Sequence, residues 1–394
     1  MLNPFAKAYF NAIIKNMKIG IDTFGLNHSR SGLGSYISSF TSNLPQSDDF
    51  YKENKIELFG SEIDRFTYTS GKRISFEGIK LSDDHKAERL WHIMKFKKFV
   101  KKQKYDAVIF PLISNCFPIK TNIATVAIVN TVFSSLIEGK SQAERRILKK
   151  VVKKSTLIVA ATRFIKDDLV QNGIAEEKIS VIYNGIDHKL FYPQMESNPE
   201  IVDIKPFAIK KPYFIYPSRI SGPNKKHLEL IKAFELFKKN TGFPHRLVIA
   251  GSEDSSYIEE IYSAISKSPF RNDIFVTGHF PHKNFPLLYA NSEACIFPSV
   301  DEGVGLSVLE AMSTGIPVLC TDKASLSEIN KNAFLLINPD DTEQFASSIE
   351  KICTDLQMRD KIIKTAIEWS NMFNWEKSVN QTLTLVQNAV SLKK

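Results

Sequence analysis

From residue 17 onward, short apolar runs alternate with stretches whose apolar residues recur every three to four positions. MKIGIDTFG (17–25), YDAVIFPLI (105–113), IATVAIVN (123–130), STLIVAAT (155–162) and KISVIYNG (178–185) read as strands with helical spacing between several of them. A second set follows: YFIYPSRI (213–220), HRLVIAG (245–251), DIFVTGHF (273–280), EACIFPS (293–299), IPVLCT (316–321) and AFLLI (333–337), with helices expected near 227–239 and 256–266. Strands alternating with amphipathic helices predict an α/β fold of two doubly wound, Rossmann-like domains. The stretch FYPQMESNPEIVDIKPFAIKKP (191–212) is polar, holds four prolines and has no clear period, so it reads as a linker. The expected division is an N-terminal extension over 1–17, a first domain over 18–195, a linker over 196–212, a second domain over 213–372 and a final helix over 373–394. Ligands of such sheets bind outside the carboxyl ends of the strands, which for two halves means a cleft that both face.

Length agrees with two domains, since 394 residues exceed one ordinary core. The composition, 43% hydrophobic and 24% charged, is that of a globular protein. Four cysteines (Cys116, Cys295, Cys320, Cys353) are scattered without a C-x-x-C pair or zinc spacing and predict reduced thiols, hence a cytoplasmic setting. No apolar run is long enough to span a bilayer, and a signal peptide is not expected. The net charge of +9 favours anionic partners: nucleotides, nucleic acid or lipid headgroups.

The densest chemistry lies in CIFPSVDEGVGLSVLEAMSTGIPVLCTD (295–322), where Glu302 and Glu310 are separated by seven residues. Pro298 and Ser299 end a strand, VDEGVG must turn, and LSVLEAMSTG has helical spacing closed by Gly315. Glu302 then sits at a strand's carboxyl end. Gly303 and Gly305 permit positive φ, so the amides of Val304, Gly305 and Leu306 can face a ligand oxygen at a helix N-terminus. Glu310, one turn inside the helix, lies on the order of 10 Å from Glu302, which is too far for a coupled acid/base pair and suits two ends of one elongated ligand. From geometry alone a bland alternative stands beside this: Ser307, Glu310 and Thr314 as a solvated polar stripe and Glu302 as a loop acid.

The wording FPSVDEGVGLSVLEAMSTGIPVLCTD resembles the E-x7-E signature of retaining glycosyltransferases of family 4, with Val304 where Phe is usual. YPSRISGPNKKHLELIKAF (216–234) resembles that family's R-x-x-x-x-x-K stretch, which implies that Arg219 and Lys225 compensate the charge on a leaving diphosphate. VIAGSEDS (248–255) and VTGHFPHKNFPLLYANSE (276–293) resemble its base-holding segments, which implies nucleotide contacts at Gly251, Gly278, His279 and Phe280. VIYNGIDHKLFYP (181–193) resembles its N-G-V/I-D motif, with Asn184, Gly185 and Asp187 shaping a turn. SRSGLGSYI (29–37) resembles its glycine loop, with the amides of Gly32 and Gly34 toward the diphosphate, and FNWEKSVNQTLTLV (373–386) resembles its C-terminal helix, which returns to the first domain. The resemblance implies a GT-B fold and transfer of a hexosyl group, mannose or another, from a nucleoside-diphosphate sugar (GDP-mannose or UDP-hexose) to a glycan or lipid-linked acceptor in polysaccharide or lipopolysaccharide synthesis.

In that picture Glu302 holds donor-sugar hydroxyls, and Glu310 the ribose hydroxyls. The turn Gly303, Val304, Gly305, Leu306, Ser307 takes the phosphates. One position departs: where family members carry His-Asp this chain has Val129 and Asn130. Asn130 can hydrogen-bond a sugar but cannot act as a base, which leaves a catalytically weak or silent binding protein as an alternative. The absence of any D-x-D triplet predicts metal-independent transfer without a cofactor. WHIMKFKKFVKKQKYD (91–106) and RRILKKVVKKS (145–155) are basic helices with apolar residues interleaved. They suit either a solvated face or an anionic membrane surface at the inner leaflet, and residues 1–16 suit a short interfacial anchor. A nucleic-acid partner is not expected, since no recognised binding motif accompanies the charge.

Overall fold

The computed structural model describes residues 16–28, 32–68, 73–82, 84–112, 121–193, 200–204, 207–253, 256–278 and 280–393. The chain divides into two compact units, one formed by 1–185 together with 374–394 and the other by 186–373.

The first unit is a parallel sheet of seven strands: β1 (Lys18–Asp22), β2 (Lys55–Ser61), β3 (Ser75–Ile79), β4 (Ala107–Pro111), β5 (Ala124–Val129), β6 (Leu157–Ala160) and β7 (Ile179–Val181). Their spatial order is β3-β2-β1-β4-β5-β6-β7, a doubly wound arrangement that reverses direction at β1. β2 and β3 were not among the expected strands because Glu57 interrupts the apolar pattern of KIELFGS and Glu77 with Gly78 that of SFEGI. The Glu57 carboxylate is tolerated inside the sheet because Tyr105 donates to it at 2.6 Å and Lys18 Nζ lies at 3.1 Å. Burial works against its charge, and these hydrogen bonds outweigh burial, so its pKa lies below the usual range.

One face of this sheet is covered from the far end of the chain. The helix Trp375–Ser391 is capped by Asn374, whose side chain accepts from Lys377 N, and it buries Val379, Leu383, Val386 and Ala389 against Ile19, Ile21, Ile109, Val126 and Ile128. Gly185 lets this packing happen: a Cβ there would stand 2.2 Å from Trp375 N.

Within the stretch read as a linker over 196–212, the second unit carries an antiparallel hairpin, β8 (Ile201–Ile204) with β9 (Phe207–Lys210), and the two compact units divide at 185/186. I-V-D-I and F-A-I-K each alternate, and the register Val202↔Ile209 puts two buried side chains on one face. A six-stranded parallel sheet follows: β10 (Tyr213–Pro217), β11 (Arg246–Ala250), β12 (Ile274–Val276), β13 (Ala294–Phe297), β14 (Val318–Cys320) and β15 (Leu335–Leu336), in the order β12-β11-β10-β13-β14-β15. Helices His227–Thr241 and Tyr257–Lys267 lie within two residues of the expected bounds. Cys295 and Cys320 are fully buried free thiols, as core residues of β13 and β14.

Candidate functional site

The carboxyl ends of β10, β11 and β13 bring the expected residues of the second unit together. β13 ends at Phe297, and the chain turns through 298–305 into the helix Leu306–Ser313. It is Gly305, the residue before this helix, that takes the left-handed conformation (φ 74°), and a Cβ there would meet Leu326 Cδ2 at 2.8 Å. The helix's first amides have no intrahelical partner, so this turn presents donors and positive potential together. Ser299 O accepts from Thr321 Oγ1 at 2.6 Å, and Glu302 O accepts from Ser325 N at 3.3 Å, which ties both sides of the turn to the segment after β14.

Glu302 and Lys225 are joined directly. Lys225 Nζ lies 2.5 Å from Glu302 Oε1 and donates to Asp301 O at 3.2 Å, with both side chains about four-fifths buried. Lys225 ends a tight 3-10 turn, Pro223–Lys225, that is anchored from below: the buried Tyr216 hydroxyl donates to Lys225 O at 2.6 Å, and Val300 N donates to Asn224 O at 3.0 Å. The cation and the carboxylate are thus held by two loops that are themselves bonded together. Arg219 is exposed just beyond β10. Its backbone is fixed by a continuation of the β10–β11 ladder, Ser218 N to Ala250 O at 3.0 Å and Ile220 N to Ser252 O at 2.9 Å. Gly251 lies between those two bonds, and a Cβ on it would stand 2.0 Å from Ser218 O. Its role is close backbone approach.

Glu310 lies one turn into the Leu306–Ser313 helix with its side chain 13% exposed, and His282 Nε2 lies 2.8 Å from its Oε1. Among the described residues the two glutamates have different partners, Lys225 for Glu302 and His282 for Glu310. Tyr289 OH donates to Ser307 O at 3.2 Å beneath them. Gly278 has φ 68° with open space at its Cβ position, whereas His279 lies outside the described residues. The Phe280 side chain is turned into the unit: it is 3% exposed, with its ring 5.5 Å from Phe207 on β9 and 6.5 Å from Phe285. Its backbone remains for a ligand.

In the first unit, Gly32 opens the helix Gly32–Ser42 with nothing within 4 Å of its Cβ position, and Gly34 is buried in that helix. Residues 29–31 of the glycine loop lie outside the described residues. Asn130 follows β5, and its Oδ1 is buried with no hydrogen-bond partner among the described residues, an acceptor that a ligand hydroxyl would satisfy.

Two functional candidates escaped sequence reasoning. His282 is one; its only signal was its place in PHKN after the Gly278 loop. His227 is the other, fully buried beside Lys225, with its ring 4.8 Å from that of Tyr216 and neither nitrogen bonded among the described residues. Burial, reinforced by the Lys225 charge, pushes its pKa down to about 4.

Two family models match the chain: "Glycosyl transferases group 1" over residues 197–369 and "Glycosyltransferase Family 4" over 60–190. The chain is 29% identical over 164 residues to an O-antigen chain mannosyltransferase B of Escherichia coli (41% of this chain, 42% of that protein). It is 25% identical over 209 residues to the O-antigen chain mannosyltransferase RfbU of Salmonella typhimurium (53% and 54%). It thus spans about half the length of the curated relatives it matches. Among solved structures it is similar in fold to a sucrose-phosphate synthase from Thermosynechococcus elongatus (TM-score 0.73, 15% identity, 95% of this chain and 100% of that one). Anabaena Alr3699/HepE, solved in complex with UDP and glucose, is another neighbour (TM-score 0.69, 17% identity, 93% and 98%). With both units doubly wound and both family models placed on them in order, the chain belongs to the group 1, family 4 glycosyltransferases of GT-B fold.

Proposed function

We propose that the protein is a retaining hexosyltransferase that takes mannose or another hexose from a nucleoside-diphosphate sugar and passes it to a hydroxyl of a glycan or glycolipid acceptor. The observation that carries this reading is the paired Lys225 and Glu302 at the mouth of a helix N-terminus, with Glu310 on that same helix. Lys225, Arg219 and the helix amides supply fixed positive charge where a departing diphosphate needs it, without a metal or other cofactor. Glu302 accepts from donor-sugar hydroxyls, Glu310 from the ribose. The two O-antigen mannosyltransferases among the relatives favour GDP-mannose, and the UDP-bound neighbour favours a UDP-hexose, so the donor is chosen by experiment. A thermal-shift panel of GDP, UDP, ADP and their sugar conjugates does this. Ligand at a hundredfold its Kd stabilises by about 2.7 kcal/mol. A shift with one nucleotide that vanishes in Glu310→Ala is the expected result, and no shift with any would remove the reading.

The second reading, a silent binding protein of the same fold, is favoured by Asn130, which cannot supply a base. It predicts nucleotide binding without release of nucleoside diphosphate in the presence of glycan acceptors.

A peripheral place on an anionic cytoplasmic-side membrane fits the helix His85–Met94. It leaves Leu90, Ile93 and Met94 more than half exposed at i, i+3, i+4 spacing, with Lys86 and Arg89 on it and Lys97, Lys98 and Lys101 on the helix Phe96–Gln103 that follows. Among the described residues no helix is long and apolar enough to cross a membrane. Sedimentation with anionic but not neutral liposomes is expected; equal recovery in both supernatants would sink this placement.

A further inference from the structure

Glu310 has a side-chain partner within its own unit. His282 stands in the short 3-10 turn His282–Asn284, and its Nε2 lies 2.8 Å from Glu310 Oε1. Phe191 and Phe285 flank the ring, with centroids 5.2 and 6.4 Å away. The ring is 62% exposed, whereas the carboxylate beneath it is 13% exposed. His282 therefore covers Glu310 on its solvent side.

A ribose presents two adjacent hydroxyls, and a carboxylate meets them with the best geometry when each oxygen accepts from one, so a donor already on Oε1 competes with the diol. We propose that His282 is a positioning residue that holds Glu310 in the ligand-free protein and yields Oε1 to the ribose diol, so that protonation of its ring opposes donor binding. This rests on the reading of Glu310 as the ribose acceptor.

The groups facing the ring set the direction. Glu310 bonds to it from the Leu306–Ser313 helix, and Asp187 adds a second negative charge. Tyr289 and Cys295 also lie within the field of Glu310, and burial holds both neutral. The bond to Glu310, and then the charges of Glu310 and Asp187, raise the His282 pKa above its ordinary value. A ribose that takes Glu310 away removes the largest of these supports, the pKa falls, and a proton leaves as the nucleotide binds. Affinity must then rise with pH through the range in which the ring titrates.

The test is calorimetric titration of UDP and of GDP into wild type and His282→Gln at pH 6, 7.5 and 9, in buffers of different ionisation enthalpy. Glutamine keeps a donor at this exposed position and removes the titration. Comparing the two proteins cancels the titration of the nucleotide's own phosphates. The wild type should gain about fivefold more affinity across this range than the variant, the ratio between a charge-assisted and a neutral hydrogen bond. It should also release more protons on binding, and 2′-deoxy-UDP or 2′-deoxy-GDP should shrink both differences. Equal pH profiles and equal proton release in the two proteins would overturn the proposal. So would identical behaviour of ribo- and deoxynucleotides. Binding of neither UDP nor GDP at any pH would sink the donor reading first and this inference with it, so the two failures are distinguishable.

Discussion

Gly251→Ala is a one-methyl change whose cost follows from the ladder described above. The new Cβ would stand 2.0 Å from Ser218 O, 2.4 Å from Ser218 C and 2.8 Å from Arg219 N. All three are backbone atoms, so no side-chain rotation relieves the contact. The first distance is 1.4 Å short of the 3.4 Å at which such contacts become ordinary. The flanking bonds, Ser218 N to Ala250 O and Ile220 N to Ser252 O, leave two ways out: lengthen one of them or move Arg219. Overpacking of this kind costs about 1 to 3 kcal/mol. That corresponds to a fall in Tm of about 2 to 12 °C for a unit of this size. A shift of about 1 Å in a group that meets the diphosphate costs up to about a hundredfold in turnover. Calorimetric Tm and nucleotide affinity, measured side by side, check both parts. Gly32→Ala is the internal control, since nothing stands within 4 Å of its Cβ position and its φ is not positive, so its Tm should stay within about 1 °C of wild type. A Gly251→Ala protein with unchanged Tm and unchanged nucleotide affinity would refute the close-approach account of this glycine.

Three further outcomes are expected. Lys225→Met removes the partner of Glu302 and a cation from the diphosphate position; with a charged hydrogen bond worth about 1.5 to 3 kcal/mol, kcat/KM on the selected nucleotide sugar should drop about 10- to 150-fold, and a loss below threefold would contradict the role. Gly305→Ala places a side chain at φ 74° and should cost about 1 to 2 kcal/mol from the backbone alone, read as a lower denaturant midpoint with unchanged m-value; an unchanged midpoint would contradict it. His227, whose folded pKa of about 4 lies below its unfolded value, contributes stability that is complete above pH 6.5 and is lost as pH falls toward 4. Denaturant unfolding at pH 7 and pH 5 should show about 2 kcal/mol more acid loss in wild type than in His227→Leu, and equal loss in both would show that the ring is not buried neutral.

The central strands were legible because they are buried on both faces and so read as unbroken apolar runs: VIA of β11, ACIF of β13 and VLC of β14 are fully buried. β2 and β3 were illegible for the converse reason. Glu57 is paid for by Tyr105 and Lys18, one 48 residues later and the other 39 earlier, a compensation no local window contains. The hairpin of β8 and β9 was hidden because polar composition and prolines outweighed two four-residue alternations. At the site, the glycines and the two glutamates announced a strand-to-helix turn from spacing alone. That Lys225 would meet Glu302 could not be read, because the two are 77 residues apart and Tyr216 anchors one loop from inside the sheet. His282 was missed because a lone histidine in a turn carries no signal until its partner is known.

The helix Trp375–Ser391 belongs to the first unit yet follows all 188 residues of the second in the chain, 186–373. On a ribosome adding about 5 to 20 residues per second, the second unit would be complete while the sheet face that awaits Val379, Leu383 and Val386 still lay bare for roughly 10 to 40 s. Nascent-chain maturation would thus run against sequence order, with the second unit folded before the unit whose synthesis began first. The uncovered strands β4, β5 and β6 would be the natural landing place for a holdase chaperone during that interval.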